Sequence, residues 1–328
     1  MHELIHKAET YKPGVSPVTG DWYWSEKLDG RYAFWDGGVT RGMCAREVPW
    51  AYTSKDTKVA MSTGLWSSLG KPVNAPDWFL NQLPPFLLDG ELYLGRGCFQ
   101  EVISITKRDE PDDRWHDVTF KVFGAPLVRN WLRPRTISHT EVTISPADRD
   151  LWLPRLKDIY CNMFKDVYPT LKELIKPDQN VELVAYQQIG GDSLDMIMGG
   201  VCALGGEGLM LRAPWDVWMP VRADTLLKWK PWNDAEGVVV GYIAGDKRLL
   251  GMLGSLIISW QGKKFALSGM DDADRAIKTC GAVLEPGKEC NIYCPAFPIG
   301  SKITFRYREL TNEGIPKEAR YWRKRNED

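Results

Sequence analysis

Lys27 sits two residues ahead of an Asp-Gly pair, in Ser25-Glu26-Lys27-Leu28-Asp29-Gly30-Arg31. Asp-Gly belongs to hairpin turns, and taken alone the string reads as one. It gains another meaning if the lysine amine attacks a phosphorus atom. The ammonium must then lose its proton, with help from other cations, a metal ion or desolvation. The phosphate needs cationic donors, the metal needs carboxylates, and a nucleobase needs an aromatic or apolar slot.

Those residue types recur downstream. In Leu88-Asp89-Gly90-Glu91-Leu92-Tyr93, strand alternation puts Asp89 and Glu91 on one face and Leu88, Leu92 and Leu94 on the other. Two carboxylates on one strand face are costly in a core and call for a cation or solvent. Gly206-Glu207-Gly208 places a glycine-flanked carboxylate at the entry to the apolar Leu209-Met210-Leu211, where it can approach a ligand or metal closely. In Leu227-Lys228-Trp229-Lys230 the same period puts two lysines on one face, which suggests a bound anion. Phe120-Lys121-Val122-Phe123 offers aromatic faces to a base. Each fragment alone has a plainer reading, as a turn, a strand-edge charge, a pair of core aromatics or a solvated edge strand. Their combination and order carry the argument.

The elements that must position these residues are mostly strands. Strand-like strings cover Trp22–Trp24, Tyr32–Trp35, Phe86–Leu94, Val118–Phe123, Val181–Ile189, Gly208–Arg212, Gly237–Ile243, Leu253–Trp260 and Lys302–Tyr307. Leu194, Ile197, Met198 and Val201 recur at helical spacing, with Asp192 or Ser193 as N-cap and Gly205-Gly206 as the stop. Leu151 to Ile175 reads as one or two helices broken near Pro169, and Lys55 to Asn81 as a surface excursion. Near Pro231-Trp232-Asn233 mixed helices and strands give way to short strands with turns. The prediction is an α+β domain over 1–232 followed by an all-β, barrel-like domain over 233–328.

A chain of 328 residues can bury a large core, and its longest apolar runs fall far short of a membrane span of about 20 residues. Seven cysteines without paired spacing fit a reducing compartment. The first thirteen residues lack the apolar core of a leader, which suggests an intracellular, cytoplasmic enzyme. A net charge of −1 argues weakly against a nucleic-acid partner. The residues after Ser301 are locally basic, however, with Lys302, Arg306, Arg308, Lys317, Arg320, Arg323, Lys324 and Arg325 in a short span. Such a cluster can neutralise a few phosphates.

In this order the strings resemble the motif series of the covalent nucleotidyltransferases, which include ATP-dependent DNA ligases, RNA ligases and mRNA capping enzymes. The nearest resemblance is to the minimal ATP-dependent DNA ligases of phages and bacteria, and it runs from about Asp21 to Arg325. It implies an adenylation (nucleotidyltransferase) domain of antiparallel sheets and helices, then an OB-fold β-barrel. Lys27 would be the adenylated nucleophile. Glu26, Arg31, Tyr32, Glu91, Phe123, Lys228, Lys230, Arg323 and Arg325 would serve ATP or AMP: Glu91 at the ribose, Phe123 on the adenine, the two lysines at the α-phosphate, the two arginines at the departing pyrophosphate. Glu91 and Glu207 would be carboxylates for Mg2+, with Mn2+ as an alternative. Thr40, Arg41, Arg306 and Arg308 would contact DNA, Arg41 at the 5′-phosphate of a nick. The implied partners are nicked double-stranded DNA and ATP, the implied state a monomer away from membranes. An RNA ligase or capping-type guanylyltransferase would share Lys27, Glu91, Glu207 and Lys228, and Tyr32 and Gly124 motivate a third reading, a nick-binding protein that has lost catalysis.

Three departures from the family pattern stand out. The first motif reads K-x-D-G-x-R in the family, yet here Tyr32 takes the arginine's place and Arg31 comes one residue early. A one-residue shift on a strand reverses side-chain direction. The family's aspartate after Phe123 is Gly124, and the last basic motif is degenerate. Separately, His2-Glu3-Leu4-Ile5-His6 matches the H-E-x-x-H zinc pattern, but it lacks the formed helix and third ligand that pattern needs. Cys280, Cys290 and Cys294 lack a fourth ligand and read as free thiols, and most of the fifteen tryptophans read as core or interface.

Overall fold

A computed structural model describes residues 5–48, 50–52, 60–125, 163–176, 180–278, 285–311 and 313–324. The chain divides into two compact units, Met1–Trp229 and Lys230–Asp328.

The first unit is α+β and holds two five-stranded sheets. One runs in the order β4 (Leu65–Ser67), β3 (Arg31–Asp36), β5 (Leu87–Tyr93), β6 (Thr119–Gly124) and β7 (Val181–Leu183), antiparallel except between β6 and β7. The other runs β1 (Lys7–Thr10), β10 (Arg222–Trp229), β9 (Leu209–Arg212), β2 (Tyr23–Glu26) and β8 (Gln187–Gln188), with β1 parallel to β10. The alternation read in β5 is realised. Leu88 and Leu92 bury against Val102 and Ile105 of helix α2 (Phe99–Thr106), together with Trp115 and Phe120, while Asp89 and Glu91 face the other way into a cavity. In the second sheet Leu209, Leu211 and Leu227 pack with Trp22, Met198 and Val201, which anchors the helix Leu194–Ala203.

Three sequence expectations need correction. Val181–Ile189 is not one strand. Between β7 and β8 the Tyr186 N–H bonds to the Tyr168 hydroxyl at 2.8 Å, and Val184 and Tyr186 bury against Phe164 and Tyr168 instead of continuing a ladder. Pro169 does not break its helix, which runs Phe164–Leu174. Phe164, Val167, Tyr168 and Leu171 form one buried stripe across the proline, and that packing outweighs the lost N–H. The helical stretch expected over 151–162 lies outside the described residues. Lys55 to Asn81 is not merely a surface excursion either: its described part forms β4 and the short helix α1 (Asp77–Leu80) and buries Leu65, Trp66, Val73, Phe79 and Leu80.

The second unit has one five-stranded antiparallel sheet, β13 (Lys263–Leu267), β12 (Leu253–Trp260), β11 (Asn233–Ala244), β14 (Lys302–Tyr307) and β17 (Arg320–Lys324). Glu309–Leu310 and Pro316–Lys317 add a two-stranded ladder. Val239, Leu256, Ile258, Ile303 and Phe305, from the three central strands, form its core together with Leu267 of β13. Among the described residues no helix is long and apolar enough to cross a membrane.

Candidate active site

A cavity of about 350 Å³ opens in the first unit, lined by both of its sheets. Tyr32, Asp89, Glu91 and Phe123 come from one; Met210, Arg212, Leu226 and Lys228 from the other; Lys27 and Leu28 follow β2 at its rim. The strand period explains the lining. Met210, Arg212, Leu226 and Lys228 point in, while Leu209, Leu211, Leu227 and Trp229 pack into the core behind.

Lys27 is fixed at both ends. Its backbone N–H donates to the Gly208 carbonyl at 2.8 Å. Its ammonium donates to Glu207 Oε2 at 2.5 Å and to the Leu28 carbonyl at 3.3 Å. Glu91 Oε1 accepts the Gly30 N–H at 3.2 Å. A Cβ on Gly30 would sit 2.4 Å from the Leu92 carbonyl oxygen and 2.6 Å from Glu91 Cγ, so only glycine lets the turn close on that carboxyl. Burial pushes the Glu91 carboxyl up to about 8 against the opposing charge of Lys27, with Glu207 and Asp89 adding repulsion. A carboxyl held there invites a cation. Asp89 is buried as well and accepts the Trp218 indole N–H at 2.6 Å. Burial raises its carboxyl to about 6, opposed by the bond from Trp218 and by the charges of Arg212 and His6.

The one-residue shift in the first motif resolves by strand parity. In the sheet Tyr32 lies opposite Glu91 and Arg31 opposite Leu92. Tyr32 lines the cavity, its phenol pKa raised well above the ordinary value by burial and by Asp89. Arg31 points the other way and donates to the Thr106 carbonyl at the end of α2. Arg31 therefore does not reach into the cavity as expected, and Tyr32 occupies the place.

Other expected residues separate in the same manner. Phe123 lines the cavity, but Phe120 is a core residue on the opposite face of β6. Lys228 lines it, but β10 ends at Trp229, and Lys230 lies in the second unit with its ammonium 3.9 Å from Glu309 Oε1. The Glu26 carboxylate is engaged by Arg96, Nε and Nη2 each at 2.7 Å. Thr40 is buried, its hydroxyl donating to Asp36 and lying 2.7 Å from Ser62 Oγ, which makes it a support for Arg41 and no surface contact. Arg41 itself donates to Asn81 Oδ1 at 2.7 Å and Asp77 Oδ1 at 2.6 Å. Arg306 and Arg308 belong to the second unit, Arg323 is exposed on β17, and Arg325 lies outside the described residues.

Sequence reasoning missed Arg212, Asp216, His6 and Arg96. Arg212 is buried; its Nε donates to Asp216 Oδ2 at 2.7 Å and its Nη1 to the Phe123 carbonyl at 3.1 Å. Burial would raise the Asp216 carboxyl, yet the Arg212 charge and hydrogen bonds from His6 and Thr225 hold it well below the usual carboxylate range. A Cβ on Gly124 would meet Arg212 Nη1 at 3.3 Å, so the guanidinium stands where the family's aspartate would point. The signal for Arg212 was present: it shares strand parity with Met210. His6, half of the zinc pattern, instead lies 3.0 Å from Asp216 Oδ1 and 2.8 Å from the Met219 carbonyl. His2 and Glu3 lie outside the described residues, and so does Cys280, while Cys290 and Cys294 are free thiols. No group of three or more metal-ligating side chains occurs among the described residues. Arg96 closes a ring around the lysine, because its Nη1 also donates to the Leu204 carbonyl at 2.7 Å. It thereby ties the strand residue before Lys27 to the helix end before Glu207.

Residues 244–325 match the DNA ligase OB-like domain family. A DNA ligase of Haemophilus influenzae is 24% identical over 312 residues, spanning 94% of this chain and 88% of its own. A solved structure from work on Lig E DNA ligases, concerned with DNA binding by a minimal scaffold, aligns with a TM-score of 0.60 and 25% identity over 98% of this chain and 100% of its own. Over nearly its whole length the chain is similar in sequence to this DNA ligase and in fold to the Lig E structure.

Proposed function

We infer that this chain is a minimal ATP-dependent DNA ligase that seals single-strand nicks in duplex DNA, acting as a monomer in replication, repair or recombination. Residues 1–232 would carry the adenylation chemistry and 233–328 the OB fold. The observation that carries the reading is the Lys27–Glu207 pair, 2.5 Å apart, at the rim of a cavity that also presents Glu91, Phe123 and Lys228.

The Lys27 amine attacks the α-phosphorus of ATP; the N–P bond forms as the bond to pyrophosphate breaks, leaving AMP on the lysine. The AMP then passes to the 5′-phosphate of the nick. Finally the 3′-hydroxyl attacks that phosphate and AMP departs. Glu207 is within proton-transfer reach of the amine before attack. Lys228 supplies a cationic donor for the α-phosphate, Phe123 an aromatic face for adenine, and Tyr32 a hydroxyl where the family has a guanidinium. The donor set suits Mg2+: Glu91 and Glu207 give two carboxylates, about the number a phosphate-bridging ion takes. The ion would neutralise phosphate charge in the transition state.

Incubation with ATP carrying a labelled α-phosphate should leave one AMP on the protein, and Lys27→Ala should leave none. Label retained by Lys27→Ala, or no label on the wild type, overturns the reading. A preference for GTP or for nicked RNA over ATP and nicked DNA would redirect it to a capping enzyme or an RNA ligase.

A further inference from the structure

On the outer face of the second unit, two arginines lie flat on two exposed indoles. Strand β14 sends Ile303 and Phe305 into the core, with Tyr307 packed against it, and Arg306 outward. The Arg306 guanidinium carbon stands 3.3 Å over the Trp322 ring, and that of Arg308 3.6 Å over the Trp232 ring. The indoles are 50% and 39% exposed, unusual positions for the most apolar-rich side chain unless its face is in use. Arg306 pairs across the sheet with Arg320, and the charge of Arg320 also reaches Arg308. Three guanidiniums thus gather where cross-strand like charges should repel. Among the described residues, Asp234 takes the Arg306 Nε at 2.8 Å and Glu318 lies near Arg308. Arg308 spends one nitrogen on the Lys230 carbonyl, and the Asn233 amide holds the Arg308 carbonyl at 2.9 Å. The terminal nitrogens of Arg306 and the remaining edge of Arg308 have no protein acceptor among the described residues.

We propose that Trp322 and Trp232 are positioning residues that hold the Arg306 and Arg308 guanidiniums flat, so that their donor edges meet phosphates of the duplex DNA backbone. A guanidinium laid on an aromatic face keeps its fork of donors free at the rim and loses less freedom when an anion arrives. The excess of positive over negative charge on this face matches a phosphodiester chain, and planar donor edges match its paired oxygens. The proposal rests on the ligase reading for its ligand and goes beyond it by assigning the two indoles.

The test is binding of an end-labelled nicked duplex to the full chain, followed by anisotropy at several salt concentrations without ATP. Replacing Arg306 and Arg308 together by glutamine should reduce the slope of log affinity against log salt by about 0.9 for each phosphate the protein no longer neutralises. Trp322→Leu and Trp232→Leu keep the charges, so each should weaken binding about threefold with the slope unchanged. The tyrosine variants at both positions should bind nearly as the wild type does, and they serve in place of the leucine variants if those fold poorly. Leucine variants with wild-type affinity, or an arginine pair variant with an unchanged slope, would overturn the proposal. Loss of affinity for single-stranded but not duplex DNA would also overturn it, since the indoles would then be stacking on bases. Wild-type uptake of AMP label keeps the two ideas apart. Label with unaltered variant binding defeats this proposal alone; no label with the expected binding changes defeats the ligase reading alone.

Discussion

The cavity of the first unit and the outer face of the second handle charge in opposite ways. In and beside the cavity, polar groups are buried or half-buried and answered at fixed distances: Lys27 by Glu207, Arg212 by Asp216, and Asp216 again by the His6 imidazole. On the outer face the guanidiniums lie on indoles in solvent, with a partly exposed carboxylate alongside. The contrast follows from what each surface would do. Bond making at phosphorus needs donors preorganised to tenths of an ångström in a dry site. Gripping a long polyanion needs several weaker contacts that salt can loosen.

The contrast is easiest to break with arginine. Arg212→Met would leave Asp216 buried beside an apolar chain and should cost about 3–5 kcal/mol of stability by chemical denaturation. Arg306→Met, which also removes an ion pair, should cost under about 1 kcal/mol. Equal costs would dissolve the distinction between the two regions. A finer probe is Arg96, whose three bonds fix both flanks of the Lys27–Glu207 pair. Arg96→Gln should slow AMP labelling on the order of tenfold through misplacement of the pair, and Arg96→Lys should recover part of it. An unchanged labelling rate would mean that Lys27 and Glu207 hold each other without the clamp.

A separate effect is that of pH on the chain without nucleotide. Asp216 has a depressed carboxyl, so its contribution is present above the ordinary 3.8 and is lost as pH falls below it. Glu91 has a raised carboxyl, so its contribution is fullest below the ordinary 4.5 and is lost as pH rises through about 8. Melting temperature should therefore decline toward both ends, and Glu91→Gln should flatten only the alkaline side. A Glu91→Gln chain with the same alkaline decline would show that other groups control it.

Strand parity made much of this site legible. It separated Asp89 and Glu91 from Leu88 and Leu92, and it framed the alternatives that Tyr32 and Arg31 would face. The same rule applied to Leu209–Arg212 turns Arg212 inward beside Met210, a placement that sequence reasoning missed. For Lys230 the rule failed because the strand stops at Trp229. What could not be read was long-range pairing: His6 meets Asp216, and Glu26 meets Arg96, through folds that bring distant residues together. Nothing local marks such partners: the H-E-x-x-H string could be set aside as a zinc site, yet it gave no sign that His6 would be a buried histidine bonded to a carboxylate and a backbone carbonyl.

Strand β1 pairs in parallel with β10, Lys7 opposite Arg222 and Thr10 opposite Lys228. Ile5, His6, Lys7 and Ala8 form part of the cavity wall. More than two hundred residues separate Thr10 from Arg222, so during synthesis β1 emerges well before its partner strand. The cavity is among the last features of its unit that can close, and nascent chains ending before β10 would have no complete place for a nucleotide. On the proposed function, nucleotide capture would therefore double as a report that the whole first unit has been made and folded.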